Sequence, residues 1–169
     1  APSGPAQALV LLAESRKLAL PGSDARRELV ALDGARGEQR ARSAQGALCE
    51  LELHGAGTGG STGEGHALSI EEFRRLAEIT VEEVKGKVPV VAGIIANSTR
   101  EVIRRGEAIA DLKIDALQVT PVFYVFTPDD ESNVRHFKAI TKALNAPVLL
   151  YNVIPWNLLS TDLVLRILN

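Results

Sequence analysis

The chain has 169 residues, 19 of them basic and 21 acidic, for a formal net charge of −2, and 46% are hydrophobic. Balanced charge with only short basic runs such as Arg104-Arg105 argues against nucleic acid or an acidic membrane surface as partner, and leaves a small molecule. The lone cysteine, Cys49, cannot close an internal disulfide and has no metal-ligand spacing around it. The longest apolar stretches, residues 8–13 and 147–150, fall far below the ~18 residues of a spanning helix, so a cytoplasmic protein with no membrane segment, targeting signal or metal is expected.

No Phe, Trp or Tyr precedes Phe73. Residues 1–54, rich in Ala, Arg, Gly and Leu, therefore have little aromatic bulk with which to close a dense core. They read as mainly helical: residues 7–20 are amphipathic enough for a helix, Pro21-Gly22-Ser23-Asp24 is a turn with a cap, and residues 25–32 form a short helix. Beyond them the pattern changes. Ser69-Ile70-Glu71-Glu72 has the form of a capping box, and Phe73, Leu76, Ile79 and Val84 follow at helical spacing. Residues 88–95 are apolar on both faces and β-branched, as suits a buried parallel strand. A second box, Ser98-Thr99-Arg100-Glu101, opens another helix carrying Val102, Ile103, Ile109 and Leu112. Residues 114–120 form the next strand, ended by Pro121. Thr127 supplies a cap, Pro128 a first-turn proline, and Asp129 and Asp130 first-turn acids for a helix to about Leu144. Residues 146–152 repeat the strand pattern, and Ser160-Thr161-Asp162 begins a last helix. Such alternation is the sign of consecutive βαβ units on a parallel sheet.

Residues 55–65 hold six of the 14 glycines. Gly55, Gly57 and Gly60 fit the dinucleotide pattern G-x-G-x-x-G, but the following strand ends in Ala96-Asn97, without the acid that would hold a ribose. Gly55 and Gly60 also have the spacing of a phosphate loop, but Ser61 stands where its lysine must be. A third reading is a strand-to-helix turn whose glycines let the backbone approach a ligand while the Ser61 and Thr62 hydroxyls donate to a carboxylate. A plain glycine turn is the structural alternative.

Further motifs decide among these: Gly60-Ser61-Thr62-Gly63-Glu64, Leu68-Ser69-Ile70-Glu71-Glu72, Ala96-Asn97-Ser98-Thr99, Val119-Thr120-Pro121, His136-Phe137-Lys138 and Tyr151-Asn152-Val153. In order and spacing they resemble the dihydrodipicolinate synthase and N-acetylneuraminate lyase family of class I pyruvate-dependent aldolases. The resemblance covers about residues 55–169. It implies an α/β fold, part of a (β/α)8 TIM barrel from about strands 2 to 5, behind an unmatched helical segment at residues 1–54. A complete barrel needs roughly 250 residues. The family's chemistry forms a lysine Schiff base with pyruvate or another 2-oxo acid and uses no cofactor. By the same resemblance Ser61 and Thr62 bind the substrate carboxylate, and Tyr151, with Thr62, moves the proton. That logic is chemically coherent: a 2-oxo acid must be oriented, its carbonyl made an imine, and a proton moved as the imine becomes an enamine.

This sequence departs from the family pattern in three places. Phe123 stands where the family's second tyrosine would be, with Tyr124 one place on, and a strand residue moved by one points to the other face. Ile154-Pro155-Trp156-Asn157 replaces the arginine-bearing turn after Tyr-Asn-Val, which makes Tyr124 and Trp156 possible walls of a different second-substrate pocket. The family's imine lysine lies beyond the helix that begins at Ser160. The six lysines present are Lys17, Lys85, Lys87, Lys113, Lys138 and Lys142, and all after the first fall on predicted helices or their exit turns. The expectation is therefore a lyase segment inactive on its own, with exposed sheet edges that favour a homo-oligomer or coverage by the N-terminal helices. The competing expectation is a non-catalytic module that binds a small carboxylate.

Overall fold

The computed structural model describes residues 9–12, 55–61 and 63–169. Cys49, Lys17, Thr62 and the turn and helix expected at residues 21–32 lie outside them. Five strands form one parallel sheet: β1 (Leu9–Leu12), β2 (Ala56–Thr58), β3 (Val90–Ile94), β4 (Ala116–Val119) and β5 (Val148–Tyr151), in the order β1-β5-β4-β3-β2. Helices α1 (Ile70–Val84), α2 (Thr99–Ala108) and α3 (Asp130–Ala143) connect β2 to β5 in sequence, and α4 (Thr161–Leu168) follows β5. The β2 to α4 portion is thus a run of consecutive βα units, a segment of a (β/α)8 barrel.

The strand at Leu9–Leu12 corrects the helix expected over residues 7–20. It pairs with β5 in the register Leu9↔Val148 through Leu12↔Tyr151. A strand, not a helix, therefore covers the outer edge of β5. An apolar run of four that can add a row of hydrogen bonds to an open edge gains a ladder that local amphipathy does not anticipate.

The core lies between the sheet and its helices. Val148 and Leu150 of β5, Leu117 and Val119 of β4, and Ala92 and Ile94 of β3 are buried with Phe73, Ile79, Val102, Phe137 and Ile140 from the helices. Because side chains alternate along a strand, Leu149 and Tyr151 lie on the opposite, half-buried face, as does Gln118 of β4.

Local chemistry sets the helix starts. Ser69 and Glu72 make the full reciprocal box, at 2.8 and 3.1 Å. At α2 only half of the second box forms: the Ser98 hydroxyl accepts from the Glu101 N–H, but the Glu101 carboxylate turns to Arg105 at 3.0 Å. A fixed cation one turn away outcompetes a lone backbone donor. The cap of α3 is Asp129, which accepts from the Ser132 N–H at 2.7 Å, rather than Thr127. The Thr127 hydroxyl is drawn off to the Trp156 carbonyl.

Candidate active site

All strands run parallel, so the segments that leave their C-terminal ends share one edge of the sheet. The β2–α1 connection carries Ser61, the β4–α3 connection Tyr124 and the β5–α4 connection Trp156, while Tyr151 closes β5 itself. That edge is where barrel enzymes hold their chemistry. The structure puts Ser61, Tyr124, Tyr151 and Trp156 on one edge, but β3 and β4 stand between the strands that present Ser61 and Tyr151.

The β2–α1 turn is built from backbone. Gly59 has φ of 68°, and a Cβ there would sit 2.8 Å from the Phe73 ring and 2.9 Å from the Gly93 carbonyl. Gly93 on β3 is required for the same approach, since its Cβ would lie 3.0 Å from the Gly60 nitrogen. The turn then folds on itself: the Gly65 N–H donates to the Gly60 carbonyl and the Glu64 N–H to the Ser61 carbonyl, each at 3.2 Å. A Cβ on Gly65 would fall 1.8 Å from the Gly59 oxygen. Ser61 is exposed at the crest. Gly55 and Gly57 precede or lie on β2, and α1 starts only at Ile70, so the glycines do not run directly into a helix as a dinucleotide site requires.

Tyr151 is half-buried, and its successor explains part of its motif. The Asn152 side chain accepts from the Leu159 N–H and donates to the Leu159 carbonyl, both at 2.9 Å, closing the β5–α4 connection into a loop. Asn157 donates to the Val122 carbonyl, and the Trp156 indole donates to the Phe123 carbonyl, each at 2.7 Å, so this loop is stitched to the one after β4. Tyr124 lies past the end of β4 and is 71% exposed, so strand alternation does not decide its direction. Trp156 is 62% exposed and lines a cleft of about 350 Å³ with Thr127, Pro128, Asn133 and Ser160. Tyr124 is not among that cleft's lining residues.

Three polar groups near this edge were not singled out as site residues from the sequence, although Thr120 and His136 lie in motifs that carry the family resemblance. The buried hydroxyls of Thr58, ending β2, and Thr120, just past β4, have no hydrogen-bond partner within the described protein. Thr120 is one register step beyond Val119↔Leu150, opposite Tyr151. His136 is 4% exposed on α3 and meets the Thr99 hydroxyl through Nδ1 at 2.9 Å. Burial pushes its pKa down to about 4, with the Thr120 carbonyl alongside opposing the shift.

The described lysines lie elsewhere. Lys85, Lys87, Lys113, Lys138 and Lys142 are all exposed. Lys87 and Lys113 flank a cleft of about 210 Å³ with Asp115, at the N-terminal ends of β3 and β4 and so at the opposite edge. Among the described residues no cluster of His, Cys, Asp and Glu could hold a metal ion, and no helix is long and apolar enough to cross a membrane.

The model of the dihydrodipicolinate synthetase family matches residues 48–161. The chain belongs to this family. Among its relatives, the 4-hydroxy-tetrahydrodipicolinate synthase of Methanopyrus kandleri is 45% identical over 107 residues, which are 63% of this chain and 35% of the relative. The dihydrodipicolinate synthase of Acinetobacter baumannii, solved with pyruvate, superposes with a TM-score of 0.70 at 31% identity, over 76% of this chain and 45% of that one. The enzyme of Cyanidioschyzon merolae, solved with lysine bound, gives 0.71 at 27% identity over 77% and 45%. The chain thus spans about a third of the curated relatives and under half of the solved ones. Members of the family are lyases built on a (β/α)8 barrel, and the parallel sheet order here agrees with that fold.

Proposed function

We propose that the protein acts as a Schiff-base-forming, pyruvate-dependent aldolase or lyase, to which residues 55–169 contribute the carboxylate-binding turn and the proton-transfer phenol. The observation that carries this is the preformed β2–α1 turn. Its glycines and self-closing hydrogen bonds present Ser61, with Thr62 next in sequence, on the same sheet edge as Tyr151. The turn orients the 2-oxo acid by its carboxylate, and hydroxyl donors suit that anion. Tyr151 accepts and returns the proton that moves when the imine becomes an enamine. A lysine amine adds to the substrate carbonyl with loss of water, and that lysine lies outside residues 55–169, because exposed helix and turn positions neither desolvate an amine nor set a cation beside it. The aldehyde partner meets the Tyr124 and Trp156 side of the edge.

Intact mass after borohydride, with and without pyruvate, joined to pyruvate titration by NMR, tests this. Saturable binding with no reduced adduct on Lys85, Lys87, Lys113, Lys138 or Lys142 is expected. An adduct on one of those five would overturn the placement of the amine. Absence of binding would overturn the turn as a carboxylate site. A second reading, a non-catalytic carboxylate-binding module, is favoured by the exposure of every described lysine. It predicts that the Tyr151 ring resonances stay still as pyruvate binds, whereas the lyase reading predicts that they shift.

A further inference from the structure

We infer that Arg105, on α2 and outside every motif that marks the site, is the positioning residue that fixes the β2–α1 turn in its binding geometry. This inference rests on the reading of that turn as the carboxylate site. Arg105 is 7% exposed, an unusual place for a guanidinium, and its three nitrogens each have a partner. Nε donates to Glu101 at 3.0 Å, one terminal nitrogen to the Gly65 carbonyl at 2.9 Å and the other to the Leu68 carbonyl at 2.7 Å. The guanidinium also lies 5.6 Å over the Phe73 ring, the ring against which Gly59 packs.

The connectivity makes this more than a buried ion pair. Gly65 accepts from Arg105 through its carbonyl and donates through its N–H to Gly60, the residue before Ser61. Two hydrogen bonds therefore join the guanidinium to the peptide that presents the Ser61 hydroxyl. Leu68 ends the same turn, just before the Ser69 cap, so Arg105 sets both the middle and the exit of the connection. A planar fork can hold two carbonyls at once, whereas an ammonium is a single point of charge. Glu101 completes the arrangement: its carboxylate balances the buried cation one helical turn away, and it is unavailable to the Ser98 cap as a result. Glycines and exposed hydroxyls have little stiffness of their own, and a fixed donor pair beneath them supplies it.

Hydrogen exchange and pyruvate titration on the 169-residue protein and its Arg105→Met and Arg105→Lys variants test the inference. Exchange in residues 60–68 is expected to rise at least ten-fold in both variants, while amides of α3 and β5 keep their protection. Pyruvate affinity is expected to fall about ten-fold in step. Glu101→Gln, which leaves both carbonyl contacts available, is expected to change the turn less than either variant. Should Arg105→Met fail to fold, Arg105→Lys, which keeps the charge, carries the same comparison. The inference is overturned if exchange at 60–68 is unchanged, if it rises only together with the whole protein, or if pyruvate affinity is unaffected. Failure of the unaltered protein to bind pyruvate, with exchange at 60–68 still dependent on Arg105, would remove the carboxylate reading and the affinity arm but leave Arg105 as the residue that holds the turn.

Discussion

Two regions of the same sheet edge are built by opposite means. The β2–α1 turn is glycine and backbone, seated on Phe73, backed by Gly93 and held from below by Arg105. The paired loops after β4 and β5 are rich in large side chains, with Tyr124, Val125, Phe126, Trp156 and Leu158 all exposed, and three side chain to backbone bonds stitch them together. At Gly59 and Gly65, where the turn meets its own backbone and the core, it has no room for an added atom. The exposed side chains of the paired loops can change without disturbing the core, to which the β5–α4 connection contributes Leu159. In the function proposed above, the turn takes the carboxylate of the 2-oxo acid and the paired loops face the second substrate.

The sharpest way to break the contrast is Gly65→Ala. Its methyl would overlap the Gly59 carbonyl, which is backbone and cannot rotate away, and about 3 kcal/mol or more of stability should be lost, read as a lowered urea midpoint. A second probe sits under the permissive loops, where His136 lies against Thr99 and Thr120. Its folded pKa is lowered to about 4 from 6.5, chiefly by burial, so the neutral ring's contribution is complete above about pH 6.5. As pH falls from there the unfolded chain takes up a proton that the folded one refuses, and stability should decline by about 3 kcal/mol in total by pH 4. Urea midpoints across that range should show the decline, and His136→Gln should remove that part of it.

Smaller effects sharpen the comparison from the other side. Asp129→Ala removes the true cap of α3 and should cost about 1 kcal/mol, whereas Thr127→Ala should cost less, a pair that thermal unfolding would separate. Trp156→Ala should change stability by no more than about 1 kcal/mol despite the size of the side chain, because most of it already faces water. An equal loss for Trp156→Ala and Gly65→Ala would erase the distinction between the two regions.

The sequence by itself determined the alternation of elements and the starts of α1, α2 and α4. Capping residues and helical spacing act within one turn, and β-branched runs such as Val90–Ile94 suit a strand buried on both faces. It also singled out Ser61 and Tyr151, on which the proposed function rests, from the order of the motifs that hold them. Contacts between residues far apart in the chain were decided only in three dimensions. Leu9–Leu12 became a strand because β5 offers it an edge. Ala56–Thr58, a run of Ala, Gly and Thr with weak strand propensity, is a strand because β3 pairs with it. Thr127 lost the cap of α3 to Asp129 because Trp156 accepts its hydroxyl from 29 residues away. Arg105 reads in sequence as one more surface arginine on an amphipathic helix. Its burial and its hold on Gly65, 40 residues earlier, follow from where α2 packs against the β2–α1 turn, and no local pattern encodes that distance.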